Sequence, residues 1–169
     1  MIDIVNKICF DFDPNELKTD EGHMFGAIEY GAYVLLNQAD IVGIIYIYKR
    51  RSEYDGQEFY LGGFGGLGIL PAYRHKGYAR QLVEKAIQMS YEIGIDIACL
   101  FIERNETVYK LYEKLGYTFL NRDAYYIDSL GKEKVIRDVM ILGLNNKPLA
   151  QKILSTNYKF HYGKDEGCW

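Results

Sequence analysis

The sequence predicts a single mixed α/β (α+β) domain. Three observations carry that reading. The chain has 169 residues, the length of one domain. Its apolar fraction of 49% against 25% charged is enough to close a core. Its patterning gives a helix, a β-hairpin, a glycine-rich strand, a long helix, a strand, a helix and further strands, which is no regular strand–helix alternation. No repeat, low-complexity stretch or Pro/Gly/Ser linker divides residues 1–169, so they are read as one unit.

The elements follow in order. Ile2, Val5, Ile8 and Cys9 fall at helical spacing over 2–10. Asp13 then Pro14 reads as a helix cap with proline at the first helical position, and 18–23 reads as a loop. Runs 30–36 and 41–48, around Asn37-Gln38-Ala39-Asp40, predict a hairpin. Residues 49–56, from Lys49-Arg50-Arg51 to Asp55-Gly56, read as a second turn. A third extended run, 58–70, carries Gly62, Gly63, Gly65, Gly66 and Gly68. Glycine inside a strand marks a bulge or a close backbone approach, or packs beneath a crowded aromatic neighbour. The clearest helix is 78–93, with Ala79, Leu82, Val83, Ala86, Ile87 and Ser90 on one face and Gly94 at its end. A buried strand over 95–102 and a second helix over 105–115, closed by Gly116, come next. Strands are expected at 117–120, 124–127 and 135–144, then a short helix from Pro148 to about Ser155 and a tail to Trp169.

Composition excludes several classes. Lys and Arg total 20 against 23 Asp and Glu, a net charge of −3, so the basic footprint of a nucleic-acid binder is missing. The longest apolar run, 41–48, is far short of the roughly 20 residues of a membrane span. No charged-then-apolar leader starts at Met1. The cysteines Cys9, Cys99 and Cys168 are odd in number and form no CxxC pair, so neither a disulfide framework nor a metal site is expected, and a reducing cytoplasm fits best.

The stretch Arg74-His75-Lys76-Gly77-Tyr78-Ala79 lies between an extended run ended by Pro71 and the clearest helix. The first N–H groups of a helix have no internal partners and its dipole favours anions, while glycine lets an anion approach the backbone. The stretch also reads as a plain basic turn. It lacks the Gly-Lys-Ser/Thr of a Walker loop and the spacing of a dinucleotide fingerprint.

Residues 69–82, Ile-Leu-Pro-Ala-Tyr-Arg-His-Lys-Gly-Tyr-Ala-Arg-Gln-Leu, resemble the acetyl-CoA motif of the GCN5-related N-acetyltransferases. Asn105 followed by Leu111-Tyr112-Glu113-Lys114-Leu115-Gly116-Tyr117 resembles the second signature of that family, in the right order and at the right distance. The resemblance implies a mostly antiparallel mixed sheet with two splayed central strands and helices on both faces. It implies acetyl-CoA as co-substrate, its pyrophosphate on Arg74, His75, Lys76, Gly77, Tyr78 and Ala79, and its pantetheine arm along Leu67, Gly68 and Ile69. Asn105 would touch the cofactor or simply cap its helix. Tyr112 would donate a proton to the departing CoA sulfur, while its place on an apolar face also suits a core aromatic. A general base is sought among Glu58, Glu103 and Glu29.

The chain also resembles the aminoglycoside 2'-N-acetyltransferases through Lys49-Arg50-Arg51 to Tyr60 and the run Gly167-Cys168-Trp169. That resemblance implies a small polycationic amine as acceptor, held by Asp11, Asp13, Asp165, Glu166 and Trp169. Gly65 stands where that subfamily carries an acidic residue, and its usual first strand has no counterpart. A protein or peptide N-acetyltransferase, or a CoA-binding regulatory module without turnover, is the alternative. No nucleic-acid or membrane partner is expected, and the oligomeric state is open, a homodimer included.

Overall fold

The computed structural model describes residues 8–9, 28–102, 108–128 and 130–166, with the backbone alone at 28–30 and 164–166. The strands are β1 (Ile28–Asn37), β2 (Asp40–Tyr54), β3 (Gln57–Ile69), β4 (Ile97–Phe101), β5 (Thr118–Phe119), β6 (Ala124–Ile127), β7 (Glu133–Ile136), β8 (Val139–Gly143) and β9 (Phe160–Glu166). The helices are α1 (Tyr78–Glu92), α2 (Tyr109–Lys114) and α3 (Lys147–Ser155). Ile8 and Cys9 are helical, as their spacing predicts. The rest of that first helix, the Asp13-Pro14 cap, the 18–23 loop and the start of the second helix lie outside the described residues.

The main sheet runs in the order β1-β2-β3-β4-β8-β5. β3 and β4 are parallel, and every other pair in it is antiparallel. An apolar core lies on each face. Leu82, Val83 and Ala86 of α1 pack on one face with Ile45, Ile47, Phe64 and Tyr112. Leu149, Ala150 and Ile153 of α3 pack on the other with Tyr48, Tyr54, Leu61 and Phe160. Helices therefore cover both faces.

Three sequence readings are corrected. Lys49-Arg50-Arg51 is no turn: β2 continues to Tyr54, and only Asp55 and Gly56 turn, both at positive φ. These basic residues suit a strand because each finds a partner on its own face. Lys49 donates to Ile93 O just past α1 and lies 4.1 Å over the Tyr60 ring. Arg50, 3% exposed, donates through Nη1 to Tyr162 O. The run 135–144 is two strands divided at Asp138, whose φ of 52° bends the chain. β8 stays in the main sheet, while β7 joins a second sheet of order β7-β6-β9.

The tail is the third correction. Residues 160–166 form β9, parallel to β6, with Phe160 and Tyr162 fully buried. Ser52 Oγ donates to His161 O at 2.9 Å, and His161 Nδ1 accepts from Gly163 N. β9 thus lies across β2. Gly163 is what lets the two backbones meet: a Cβ there would stand 2.7 Å from Arg51 O, and its φ is +124°. Gly163→Ala is expected to destabilise the fold by about 2 kcal/mol, because it adds both strain and an unmovable carbonyl contact. The check is a lower urea midpoint at unchanged slope.

Candidate active site

The site grows from the middle of the glycine-rich strand. β3 has 13 residues, yet only Leu61, Gly62 and Gly63 pair with β4, against Ile97, Ala98 and Cys99. Beyond Gly63 the two strands part. On its other side β3 stays paired with β2 to Ile69, through an irregularity that sets Gly65 opposite Tyr46 and Gly68 opposite Ile44. Gly66 forms this bulge with φ +59°, and a Cβ there would stand 2.8 Å from the Tyr46 ring. Both readings of the strand glycines hold at this one residue. From Phe64 to Ile69 one edge of β3 faces no strand among the described residues, which leaves about 17 Å of main chain open to an extended, amide-rich partner.

The open edge leads into the basic turn. Pro71–Tyr73 makes one 3-10 turn, and Arg74 Nε donates back to Ile69 O at 2.9 Å, tying the turn to the end of β3. Lys76 Nζ stands 5.3 Å from the Tyr73 ring centre. His75 and Gly77 both have positive φ, 60° and 80°. Gly77 caps α1 without a side chain, and a Cβ there would meet nothing within 4 Å. The first helical bond runs from Gln81 N to Gly77 O, so the N–H groups of Tyr78, Ala79 and Arg80 precede the ladder. A cavity of about 260 Å³ lies over this helix end, lined by Ile69, Tyr73, Arg74, His75, Gly77 and Tyr78 among others. Free N–H groups, cationic side chains and a glycine with open space suit a phosphate.

Leu111 of α2 also lines that cavity, so the second motif stands beside the first. One residue on, Tyr112 is 6% exposed. Its ring centre is 5.9 Å from Phe64, the first β3 residue past the pairing with β4, and 5.9 Å from Tyr117. Burial pushes the Tyr112 hydroxyl up to about 12.

The structure therefore brings Leu67, Gly68 and Ile69, the turn from Arg74 to Ala79 and Tyr112 to one side of the sheet. It does not bring Glu58 there. Glu58 is exposed opposite Glu53, six residues before Phe64 and about 20 Å from it along the strand. Glu29 lies in β1 opposite Tyr48. Asp165 and Glu166 belong to β9, Glu166 opposite Ile127. Glu103, Asn105, Asp11, Asp13 and Trp169 lie outside the described residues. Sequence reasoning passed over Tyr73 and Leu111 as lining residues and Tyr117 as a polar group. All three sat inside the quoted motifs, and the third shows its character only once packed.

The sequence model described as "Acetyltransferase (GNAT) family" matches residues 2–117. The chain belongs to the GNAT family. A curated relative, the uncharacterized N-acetyltransferase YycN of Bacillus subtilis (strain 168), is 32% identical over 112 residues, which span 66% of this chain and 65% of that relative. Among solved structures, the GNAT family N-acetyltransferase YhbS of Escherichia coli, in complex with CoA, superposes with a TM-score of 0.59 at 16% identity, over 95% of this chain and 80% of that one. The ribosomal-protein-S18-alanine N-acetyltransferase of Escherichia coli gives a TM-score of 0.54 at 18% identity, over 83% and 84%. These two support the fold of this GNAT domain. No helix among the described residues is long and apolar enough to cross a membrane.

Proposed function

We propose that this GNAT domain is an N-acetyltransferase that moves an acetyl group from acetyl-CoA to a primary amine. The observation that carries the reading is Tyr112, a buried hydroxyl beside the residue where β3 and β4 part, one open strand edge away from a phosphate-type turn. When bound, acetyl-CoA supplies a thioester whose carbon takes the amine nitrogen as its bond to sulfur breaks. The electron pair goes to sulfur, one proton leaves nitrogen and one ends on sulfur.

The chain's own groups divide the work. The N–H groups of Tyr78 and Ala79, with Arg74, His75 and Lys76, would hold the pyrophosphate. The edge from Phe64 to Ile69 would hold the pantetheine amides as a neighbouring strand would. Tyr112 would face the sulfur. With its pKa pushed up to about 12, Tyr112 is a far weaker acid than a thiol at about 8.5. Giving its proton away outright to the thiolate would be strongly uphill. The role that fits is a hydrogen-bond donor to the sulfur as charge builds there, rather than a permanent source of the proton.

The acceptor we propose is a small polycationic amine, aminoglycoside-like or a polyamine. Asp165 and Glu166 would supply negative charge and Trp169 a ring face. Deleting 167–169 is then expected to raise KM for a cationic amine far more than KM for acetyl-CoA, and added salt to raise the amine KM of the intact chain. Steady-state kinetics with each substrate varied in turn reads both. The deciding experiment for the whole reading is acetyl-CoA turnover against aminoglycosides, polyamines and peptides. Turnover on peptides alone would make this a protein N-acetyltransferase. Tight CoA binding with no turnover on any amine would make it a regulatory module.

A further inference from the structure

Tyr117 follows Gly116, where the chain leaves α2, and its N–H donates to Tyr112 O at 3.0 Å. Its ring is 2% exposed and stands edge-on to Phe64 and to Tyr112, 5.9 Å from each. Its hydroxyl oxygen is buried and has no hydrogen-bond partner among the described residues. Burial first, then Cys99 and Tyr112, push its pKa well above the usual tyrosine value, so those two titratable groups are its electrostatic neighbours. Cys99 is the β4 residue opposite Gly63, in the last pair before β3 and β4 part. The ring of Tyr117 therefore packs beside Phe64, the first residue of the open edge, and beside Tyr112.

A buried donor with no acceptor is a cost that a phenylalanine at the same position would avoid. Groups left unsatisfied in a native core tend to mark function. Resting on the proposed use of Phe64 to Ile69 as the cofactor edge, we propose that the Tyr117 hydroxyl is reserved for the sulfur of bound CoA. It donates a hydrogen bond to that atom beside Tyr112. A phenol with no competing partner needs no reorganisation when charge arrives. Like Tyr112, it is too weak an acid to lose its proton to a thiolate. Two such donors would hold a leaving sulfur that the surrounding core cannot solvate.

The test compares the full chain with its Tyr117→Phe variant. Calorimetry measures CoA and desulfo-CoA binding at pH 6 and again above the thiol pKa. The intact chain should prefer CoA, more strongly at the higher pH, because the thiolate is the better acceptor. The variant should lose about tenfold of that preference at high pH, with desulfo-CoA affinity unchanged. Its melting temperature should rise, since an unsatisfied hydroxyl has gone. A purely structural hydroxyl would shift both ligands together. An unchanged CoA to desulfo-CoA ratio, or a lower melting temperature, overturns the proposal while leaving the cofactor site standing. Failure of the intact chain to bind either ligand overturns both.

Discussion

Tyr112→Phe is expected to lower kcat by about 10²- to 10³-fold, the usual effect of losing one donor aimed at developing charge. The fold and the affinity for acetyl-CoA should hold, because the ring keeps its contacts with Phe64 and Tyr117 and only an oxygen leaves. Single-turnover measurement keeps product release from masking the change. The pH profile gives an independent reading. The neutral hydroxyl is the useful form, so activity that depends on it falls as pH rises through its pKa. Burial moves that fall from about 10 to about 12, so no alkaline loss from this group should appear near pH 10. A variant that turns over at the full rate would reduce Tyr112 to a packing residue.

Gly77→Asp should abolish most CoA binding. Two effects add. Gly77 sits at φ 80°, where an L side chain carries about 1–2 kcal/mol of strain. A carboxylate would also stand over the first N–H groups of α1, where the phosphate charge belongs. A site 1.4 kcal/mol weaker binds tenfold less tightly, and together these effects predict a loss of about 100-fold or more by calorimetry. Gly77→Ala separates them. It carries the strain without the charge, and since nothing lies within 4 Å of the added Cβ it should fold and bind at intermediate strength. Aspartate binding as well as alanine would mean that no anion rests on this helix end.

Much of the site was legible because it is local. Gly77 before an amphipathic run, the five glycines of β3 and Tyr112 in its motif are short-range signals, and α1 and α3 fall within a residue or so of their expected bounds. What the sequence hid is what distant segments decide. Lys49-Arg50-Arg51 read as a turn because nothing nearby accepts those charges. Their partners are the Ile93 and Tyr162 carbonyls, 44 and 112 residues away. The bend at Asp138 depends on an aspartate in a left-handed conformation, which composition does not announce. The alternation Lys159-Phe160-His161-Tyr162 was a strand signal that the final residues overshadowed. The unpaired Tyr117 hydroxyl follows from packing alone.

The division of the apolar interior by the main sheet bears on how this protein can change over generations. α1, α2 and Tyr112 lie on one face, while α3, Phe160 and Tyr162 lie on the other. Layers stack about 10 Å apart, so α1 and α3 are separated by about 20 Å. That exceeds the range over which substitutions normally couple. A repacking around Ile153 or Phe160 should add to, rather than interact with, a change around Leu82 or Val83. The α3 face can therefore accumulate stabilising substitutions as a reserve. The other face can draw on that reserve when a new acceptor demands a looser or more strained site.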